Sequence, residues 1–309
     1  MLMVVTLCLL VLYALLIFFY WYHWQKEEKG FLGSPEKTFI SVIIPARNEE
    51  KNLPRLLRRL EEQTYEYFEV LVIDDYSTDS TTNVILPFLN DRVWLLRPSV
   101  PEHLSSKKRA IERGVRAAKG DLIVVTDADC YPGMEWLETI NNFYQARHSV
   151  FIAAPVKYQY KENLVEMFQT MDFMILQGIT AAGVRSGLHT MCNGANLAYT
   201  KQAFEEVNGF EGIDKIATGD DMLLMHKIRK KNPGKVHYLK NKDAIVLTRP
   251  MPTWKEFFMQ RRRWASKSMN YDDKSLLPVL LLILILNLWF FVLVIASLFN
   301  SNYWIAVLA

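Results

Sequence analysis

Cysteine is scarce in this chain and never closely spaced: Cys8, Cys130 and Cys192 are odd in number and lie far apart. That pattern excludes a disulfide-stapled secreted domain and the common zinc frameworks, and it fits a reduced, cytosolic setting. A charge surplus is lacking too. The net charge of +3 over 309 residues is too small to imply nucleic-acid binding, although Lys and Arg gather after Lys255, where they could face phosphates or anionic lipid. No internal repeat, low-complexity tract or glycine-rich loop of the Walker or dinucleotide type is present, which removes solenoids and the best-known phosphate cradles. His189, His226 and His237 show no metal-ligand spacing, so they read as surface or packing residues.

Long apolar runs, by contrast, are present at both ends. Residues 2–24 contain no charged side chain. At about 1.5 Å per residue they suffice to cross a hydrocarbon core of roughly 30 Å. A cleaved signal peptide would need a basic leader and a small-residue cleavage site, and neither precedes Trp21-Tyr22-His23-Trp24, which reads as an interfacial aromatic belt. Lys26, Lys29 and Lys37 follow that belt, and nothing basic precedes it. The excess of positive charge on that side assigns the following domain to the cytosol. The second run, 276–299, agrees, because Arg261, Arg262, Arg263, Lys267 and Lys274 stand on its N-terminal side. The expected organisation is an anchor at 1–25, a soluble domain at 38–250 with halves at 38–150 and 151–250, and an interfacial amphipathic helix at 251–272. A second span at 276–299 follows, then an apolar stretch at 300–309 that is a peripheral tail or the start of a further helix.

Between the anchors the periodicity is that of an α/β domain. Residues 39–44, 68–73, 93–96 and 122–126 are short, β-branched apolar runs suited to strands buried on both faces. Amphipathic stretches separate them: 50–63 sets Leu53, Leu56, Leu57 and Leu60 on one face, and 107–119 repeats the pattern with Ile111 and Val115. This alternation predicts a mostly parallel sheet whose ligands bind beyond the carboxyl ends of the strands. Charged motifs fall at those ends: Pro45-Ala46-Arg47-Asn48-Glu49, Asp74-Asp75, and Asp127-Ala128-Asp129. A stretch rich in Met and Phe, from Met167 through Phe168, Met171 and Phe173 to Met174, reads as an apolar helix, either core or a groove for an acceptor or lipid.

Carboxylates at strand ends suit one kind of chemistry in particular. A sugar nucleotide leaves its diphosphate with extra negative charge when the bond to the anomeric carbon breaks. Acids cannot hold that charge directly, but they can hold a divalent cation that does. Mg²⁺ and Mn²⁺ take oxygen ligands, commonly one or two carboxylates plus substrate phosphates, and Asp129 with Asp127 beside it can supply them. A bland alternative is that these aspartates only cap the turn before the helical stretch at 133–145. A second acidic pair, Asp220-Asp221, stands before another helical stretch and adds to the acids such a site could gather. Helix capping is its own bland alternative, compatible with the first.

From residue 39 to residue 264 the chain resembles the family-2 glycosyltransferases of GT-A fold. The likeness is to the membrane-bound branch that includes cellulose, chitin, hyaluronan and poly-N-acetylglucosamine synthases. Residues 45–50 resemble that family's opening motif, and Val72-Ile73-Asp74-Asp75-Tyr76-Ser77-Thr78-Asp79 its uridine-binding turn. The segment from Lys107 to Gly114 resembles the one whose lysine approaches the nucleotide, with Glu112 where asparagine is often found. Cys192-Asn193-Gly194-Ala195-Asn196, followed by Val207-Asn208-Gly209-Phe210, looks like the acceptor-side strand and turn. Thr218-Gly219-Asp220-Asp221 is similar to the motif whose last acid is the catalytic base, with Asp220 where glutamate is common. Gln260, Arg263 and Trp264 fit the Gln-x-x-Arg-Trp motif.

The resemblance implies an inverting transfer that uses Mg²⁺ or Mn²⁺ on Asp127 and Asp129, with Asp221 as base. It implies donor contacts at Pro45, Glu49, Asp75, Lys107, Asp127 and Arg263, and acceptor contacts at Gly194, Asn196, Asp220, Gln260 and Trp264. Arg263 would offer a bidentate fork to phosphate oxygens and Trp264 a flat face to a sugar ring; the competing reading is an interfacial helix with Trp254, Phe257, Phe258 and Trp264 in the acyl boundary. The expected partners are a nucleotide-sugar donor, a lipid or glycan acceptor, and subunits of an export complex. Polysaccharide synthases generally line a channel with several helices, whereas two are visible, so glycosylation of a lipid such as ceramide stays open beside polymer synthesis. A nucleotidyltransferase or a catalytically silent subunit of an envelope assembly would explain less. The first has no need of Asp221 or the Gln260 motif, and the second would be expected to have lost its acids.

Overall fold

The computed structural model describes residues 2–26, 34, 36–98, 107–189, 191–214, 216, 219–268, 274–300 and 303–304. Lys29, Thr218 and most of the apolar stretch at 300–309 lie outside the described residues. The chain opens with α1 (Leu2–Gln25), then alternates β1 (Ile40–Ala46), α2 (Leu53–Glu61), β2 (Phe68–Asp74), α3 (Thr81–Ile85), β3 (Val93–Leu96), α4 (Lys107–Ala117) and β4 (Leu122–Val125). The second half carries β5 (Tyr131–Pro132), α5 (Trp136–Arg147), β6 (Phe151–Ala153), β7 (Val156–Tyr158), α6 (Leu164–Ser186), β8 (Leu197–Thr200) and α7 (Lys201–Glu206). It ends with α8 (Met222–Lys231), β9 (Val236–Tyr238), β10 (Val246–Thr248), α9 (Trp254–Ser268) and α10 (Leu277–Ser297).

The main sheet has seven strands in the order β3-β2-β1-β4-β8-β6-β9. The first four are parallel, because each is joined to the next by a crossover segment. All seven residues of β2 are buried, as expected of a strand covered on both faces. The four expected runs therefore become β1 to β4 within one or two residues, and the α/β architecture is as the periodicity implies. The departure comes next: β8 inserts antiparallel between β4 and β6, with Val125 opposite Leu197 and Leu122 opposite Thr200. This reversal sets the start of β8 beside the end of β4, and so lays residues 192–196 against 126–129.

A second sheet of three short strands runs β5-β10-β7. It gathers the segment that follows Asp129, the segment that leads into α6 and the segment that leads into α9.

The two apolar helices α1 and α10 are long enough to span a bilayer. They meet where Trp289 Nε1 donates to Thr6 Oγ1 at 2.9 Å. The inner end of α1 is fastened to the domain. Arg185 and Lys240 donate to the Trp24 carbonyl, and Lys240 also lies 4.0 Å from the centre of the Trp24 ring. Tyr20 and the buried His189 share a hydrogen bond of 3.0 Å. His189 fits only because residue 183 is glycine: a Cβ there would stand 1.9 Å from the imidazole.

Candidate active site

The donor side is built from the turns after β1 and β2, which are laced together. Asn48 has a φ of 59°, tolerated by a short amide side chain, and Tyr76 shares that φ. The Asn48 N–H donates to Ser77 Oγ, and Asn48 Oδ1 accepts from the Thr78 N–H. The Glu49 N–H donates to Thr81 Oγ1 and the Ser80 N–H to a Glu50 carboxylate oxygen. Asp74, fully buried, accepts from the Ser77 N–H and Thr82 Oγ1 and pairs with Arg97 Nε at 3.1 Å. Asp75, buried beside it, donates its N–H to the Ala46 carbonyl and so ties the end of β2 to the end of β1. Pro45, half-buried, sits opposite Ile73 in that same register.

The acidic centre lies at the end of β4. Lys107, the first residue of α4, reaches Asp127 Oδ1 at 2.6 Å and Asp220 Oδ2 at 3.1 Å, so one cation bridges the two acidic motifs. Burial alone would lower the Lys107 pKa. The charges of Asp127, Asp220 and Asp221 outweigh it and hold the ammonium well above its ordinary range. Asp129 is raised too, but here the rise disfavours the charged form: burial, then the negative charge of Asp127, raises its carboxyl. Glu49 is raised by burial and by the charges of Asp129, Asp127 and Asp79, which puts it in the field of the same pair.

Asp221 caps α8. One carboxylate oxygen accepts from the Met222 N–H at 2.8 Å, while the other accepts from the Gly194 N–H at 3.2 Å. Asp221 thus caps α8 and at the same time reaches the Gly194 N–H beside Lys107 and Asp220. A Cβ at 194 would crowd the bridge, lying 3.1 Å from Lys107 Nζ and 3.3 Å from Asp220 Oδ2. Lys108, next along α4 and buried, donates to the Ile213 and Ile216 carbonyls at 2.6 and 2.7 Å and pins the approach to Gly219.

Asn196 departs from the expectation of direct acceptor contact. It is fully buried; its Oδ1 accepts from Trp136 Nε1, and its Nδ2 donates to the Pro155 and Ala244 carbonyls. With its amide spent on the protein, it is a strut between the two sheets.

Helix α9 closes the site. Arg261, at a variable position of the Gln-x-x-Arg-Trp pattern, pairs with Asp172 on α6 and lies 4.4 Å from the Trp264 ring and 5.0 Å from that of Phe257. Trp264 is partly buried against the core beside Phe173, whereas Arg263 is exposed. Tyr158, at the end of β7, is stacked on Phe173; burial pushes its hydroxyl up to about 12, and the charges of Arg261, Asp172 and Asp129 act on it as well. The Gln260 Oε1 atom is buried, with no hydrogen-bond partner among the described residues. Tyr158, Asp172 and Lys108 were not singled out from sequence. For Asp172 a signal existed, since it is the one charged residue between Met167 and Gly178 and a lone acid in an apolar stretch needs a partner.

Among the described residues no three acids, histidines or cysteines form a ready metal cage. Asp127 and Asp129 nevertheless fit a hard cation that takes its other ligands from a diphosphate: both are carboxylates on one turn, and burial, then the charge of Asp127, raises the Asp129 carboxyl, a cost that a cation would offset.

The parallel sheet with acids at its carboxyl edge is that of a GT-A glycosyltransferase. Its fold is shared with the mannosyltransferase PcManGT from Pyrobaculum calidifontis, solved in complex with GDP-Man and Mn2+, at a TM-score of 0.66 and 19% identity over 99% of this chain and 84% of that one. Residues 41–207 match the description Glycosyl transferase family 2, and the chain belongs to that family. Over 249 residues, 78% of the chain, it is 25% identical to the Bacillus subtilis protein named Probable glycosyltransferase YdaM, covering 56% of it. It is 33% identical over 104 residues, 32% of the chain, to Glycosyltransferase AglE of Haloferax volcanii, covering 33% of that protein. A third relative, the beta-monoglucosyldiacylglycerol synthase of Trichormus variabilis, is 30% identical over 127 residues, 40% of this chain and 26% of its own. The chain spans between about a quarter and just over half the length of these curated relatives.

Proposed function

We propose that the chain is a membrane-anchored, inverting glycosyltransferase that moves a sugar from a UDP-linked donor to an acceptor carried in the membrane, at the cytosolic face. The single observation that carries this is the convergence of Asp127, Asp220 and Asp221 around Lys107, with Asp221 tethered to the Gly194 N–H. In this reading Asp221 takes the proton of the acceptor hydroxyl as that oxygen attacks the anomeric carbon. Lys107 leaves its bridge to meet the departing diphosphate, and Arg263 supplies a second positive contact. Gln260 Oε1 accepts from a sugar hydroxyl, and Trp264 lines the acceptor path. Mg²⁺ or Mn²⁺ held by Asp127 and Asp129 would neutralise charge developing on the leaving group. The laced turns carrying Glu49 and Asp75 receive the nucleoside.

A lipid-carried acceptor is supported by the surface beside the site. Leu164, Met167, Phe168, Met171, Met174 and Ile175 follow helical spacing along one stripe of α6, and all are exposed, Leu164 by 80% and Met174 by 67%. Phe168 meets Trp254 and Phe257, which continues the stripe onto α9. Named relatives act on such molecules: one is a dolichyl-phosphate beta-glucosyltransferase of Trichomonas vaginalis, another the beta-monoglucosyldiacylglycerol synthase already described. Extension of a polysaccharide is the second reading, favoured by the Gln260 to Trp264 motif. Membranes containing the protein, incubated with a panel of radiolabelled nucleotide sugars, should place label in the lipid extract. Label in high-mass polymer would favour the second reading, and transfer undiminished in Asp221→Asn would refute both.

A further inference from the structure

We infer that Asp172 is a positioning residue for the acceptor: by pairing with Arg261 it fixes how α9 is turned about its own axis, and so which side chains of that helix face the site. The inference rests on the glycosyltransferase reading above and adds to it a residue outside every motif that resembles the family's.

Two positions of α6, one turn apart, grip α9 and its approach. Gln169, fully buried, accepts from the Met251 N–H at 3.0 Å and donates to the Met251 carbonyl at 2.8 Å, three residues before α9 begins. That pair of bonds fixes where the helix starts but not how it is turned. Asp172, three residues further along α6, supplies the second hold through its ion pair with Arg261. Residues 261, 262 and 263 are all arginine, so one carboxylate has three cations to choose from. Successive residues lie about 100° apart around an α-helix, so a change of partner by one position would swing α9 by that angle.

Arg261 is singled out by its flanks. Its guanidinium lies 5.0 Å from the centre of the Phe257 ring, one turn before it, and 4.4 Å from that of Trp264, one turn after. Phe257 is met in turn by Phe168 of α6, and Trp264 by Phe173 of the same helix. With Arg261 so placed, residues 257, 260, 261 and 264 form the inward face, while Arg262 and Arg263 are exposed. Gln260 and Trp264 share the inward face, and the buried Gln260 Oε1 has no hydrogen-bond partner among the described residues. A buried acceptor of that kind is suited to a donor from a sugar hydroxyl. Rotation of α9 by one position would carry both side chains off the site. Half-exposed ion pairs contribute little to stability, and setting register is the use to which such a pair is best suited.

The test uses the full chain in membranes or nanodiscs, with the donor and acceptor that the labelling experiment identifies. Asp172→Asn keeps the shape and removes the charge. It should raise the acceptor KM about three- to tenfold, between the worth of an exposed ion pair and that of a buried charged hydrogen bond, with donor affinity by calorimetry and Tm close to wild type. Asp172→Glu keeps the charge and should stay within about twofold of wild type. Arg261→Gln should match Asp172→Asn, and the double variant should be no worse than Arg261→Gln alone, because the two groups act through one contact. Additive defects, an unchanged acceptor KM in Asp172→Asn, or a defect in Asp172→Glu as large as that in Asp172→Asn would overturn the inference. A fall in Tm with loss of donor affinity would also overturn it, by reducing the pair to a brace for the fold. If Asp172→Asn fails to fold, Arg261→Gln decides: a normal acceptor KM there, or a second failure to fold, counts against the inference. Failure of the underlying reading looks different: the wild-type chain would then transfer no sugar at all.

Discussion

The two halves of the site are held in different ways. On the donor side, the backbone N–H groups of residues 48, 49, 50, 77, 78, 80 and 81 are met by Ser77, Thr81, Asp79, Asp74, Asn48 and Glu50, so the turn is held by the protein's own groups. In the acidic centre, Asp127 and Asp220 are bridged by a lysine side chain that is 34% exposed and able to leave. A turn tied by its own backbone behaves as scaffold. A bridge made by one flexible cation is exchangeable, and a metal with a diphosphate can replace what Lys107 supplies.

The comparison breaks most visibly at Asp221. Asp221→Asn should lower turnover by about 10²- to 10⁴-fold, the usual worth of a general base, with donor affinity by calorimetry nearly unchanged; normal turnover would refute the assigned role. Asp129→Ala comes next: metal-dependent donor binding should fall by an order of magnitude or more, as with loss of one of two protein ligands, and EDTA should mimic it in wild type. Because burial and Asp127 raise the Asp129 carboxyl, a proton competes with the metal to higher pH than for an ordinary aspartate, so half-saturating Mn²⁺ should climb as pH falls.

Lys107→Met sharpens the contrast, because the bridge disappears while the laced turn stays. Donor KM should rise about tenfold, in line with one lost charge-assisted contact, and Tm should hardly move. The opposite signature is expected of Asp74→Asn. Among the described residues its carboxylate meets Ser77, Thr82 and Arg97, so stability should drop by about 1 to 3 kcal/mol and kcat should change less than in any site variant.

The smallest effect concerns His237, hydrogen-bonded to Ser149 Oγ at 2.7 Å. Burial, and then Arg147, lowers its pKa, so as pH falls through about 6.5 the unfolded chain takes up a proton before the native one does. Stability present above that pH is lost below it, and His237→Gln should flatten this part of a Tm-against-pH curve.

Much of the donor half was legible in the sequence, because its signals are local. Strands of four to seven apolar residues and the leucine face of α2 carry their own periodicity, and acids directly after strands mark the sheet's carboxyl edge. The cap at Asp221 was legible for the same reason. What escaped is what depends on distant pairing. Strands β7 and β10 have three residues each and no readable period, so the small sheet they form with β5 left no trace. The antiparallel insertion of β8 looks like any other short strand. Asn196 sits in a motif that looked like acceptor contact, yet its amide ties Pro155 to Ala244; a polar residue in a motif does not declare which side of the backbone it serves.

The packing of His189 into the space left by Gly183, with Tyr20 on its other side, makes the first helix more than a tether. An unrelated hydrophobic helix grafted in its place would cost this buried imidazole its Tyr20 hydrogen bond, a few residues ahead of Gly194. Helix α1 and the α/β domain are, in that sense, cut to one another, and their surfaces would have to be exchanged together.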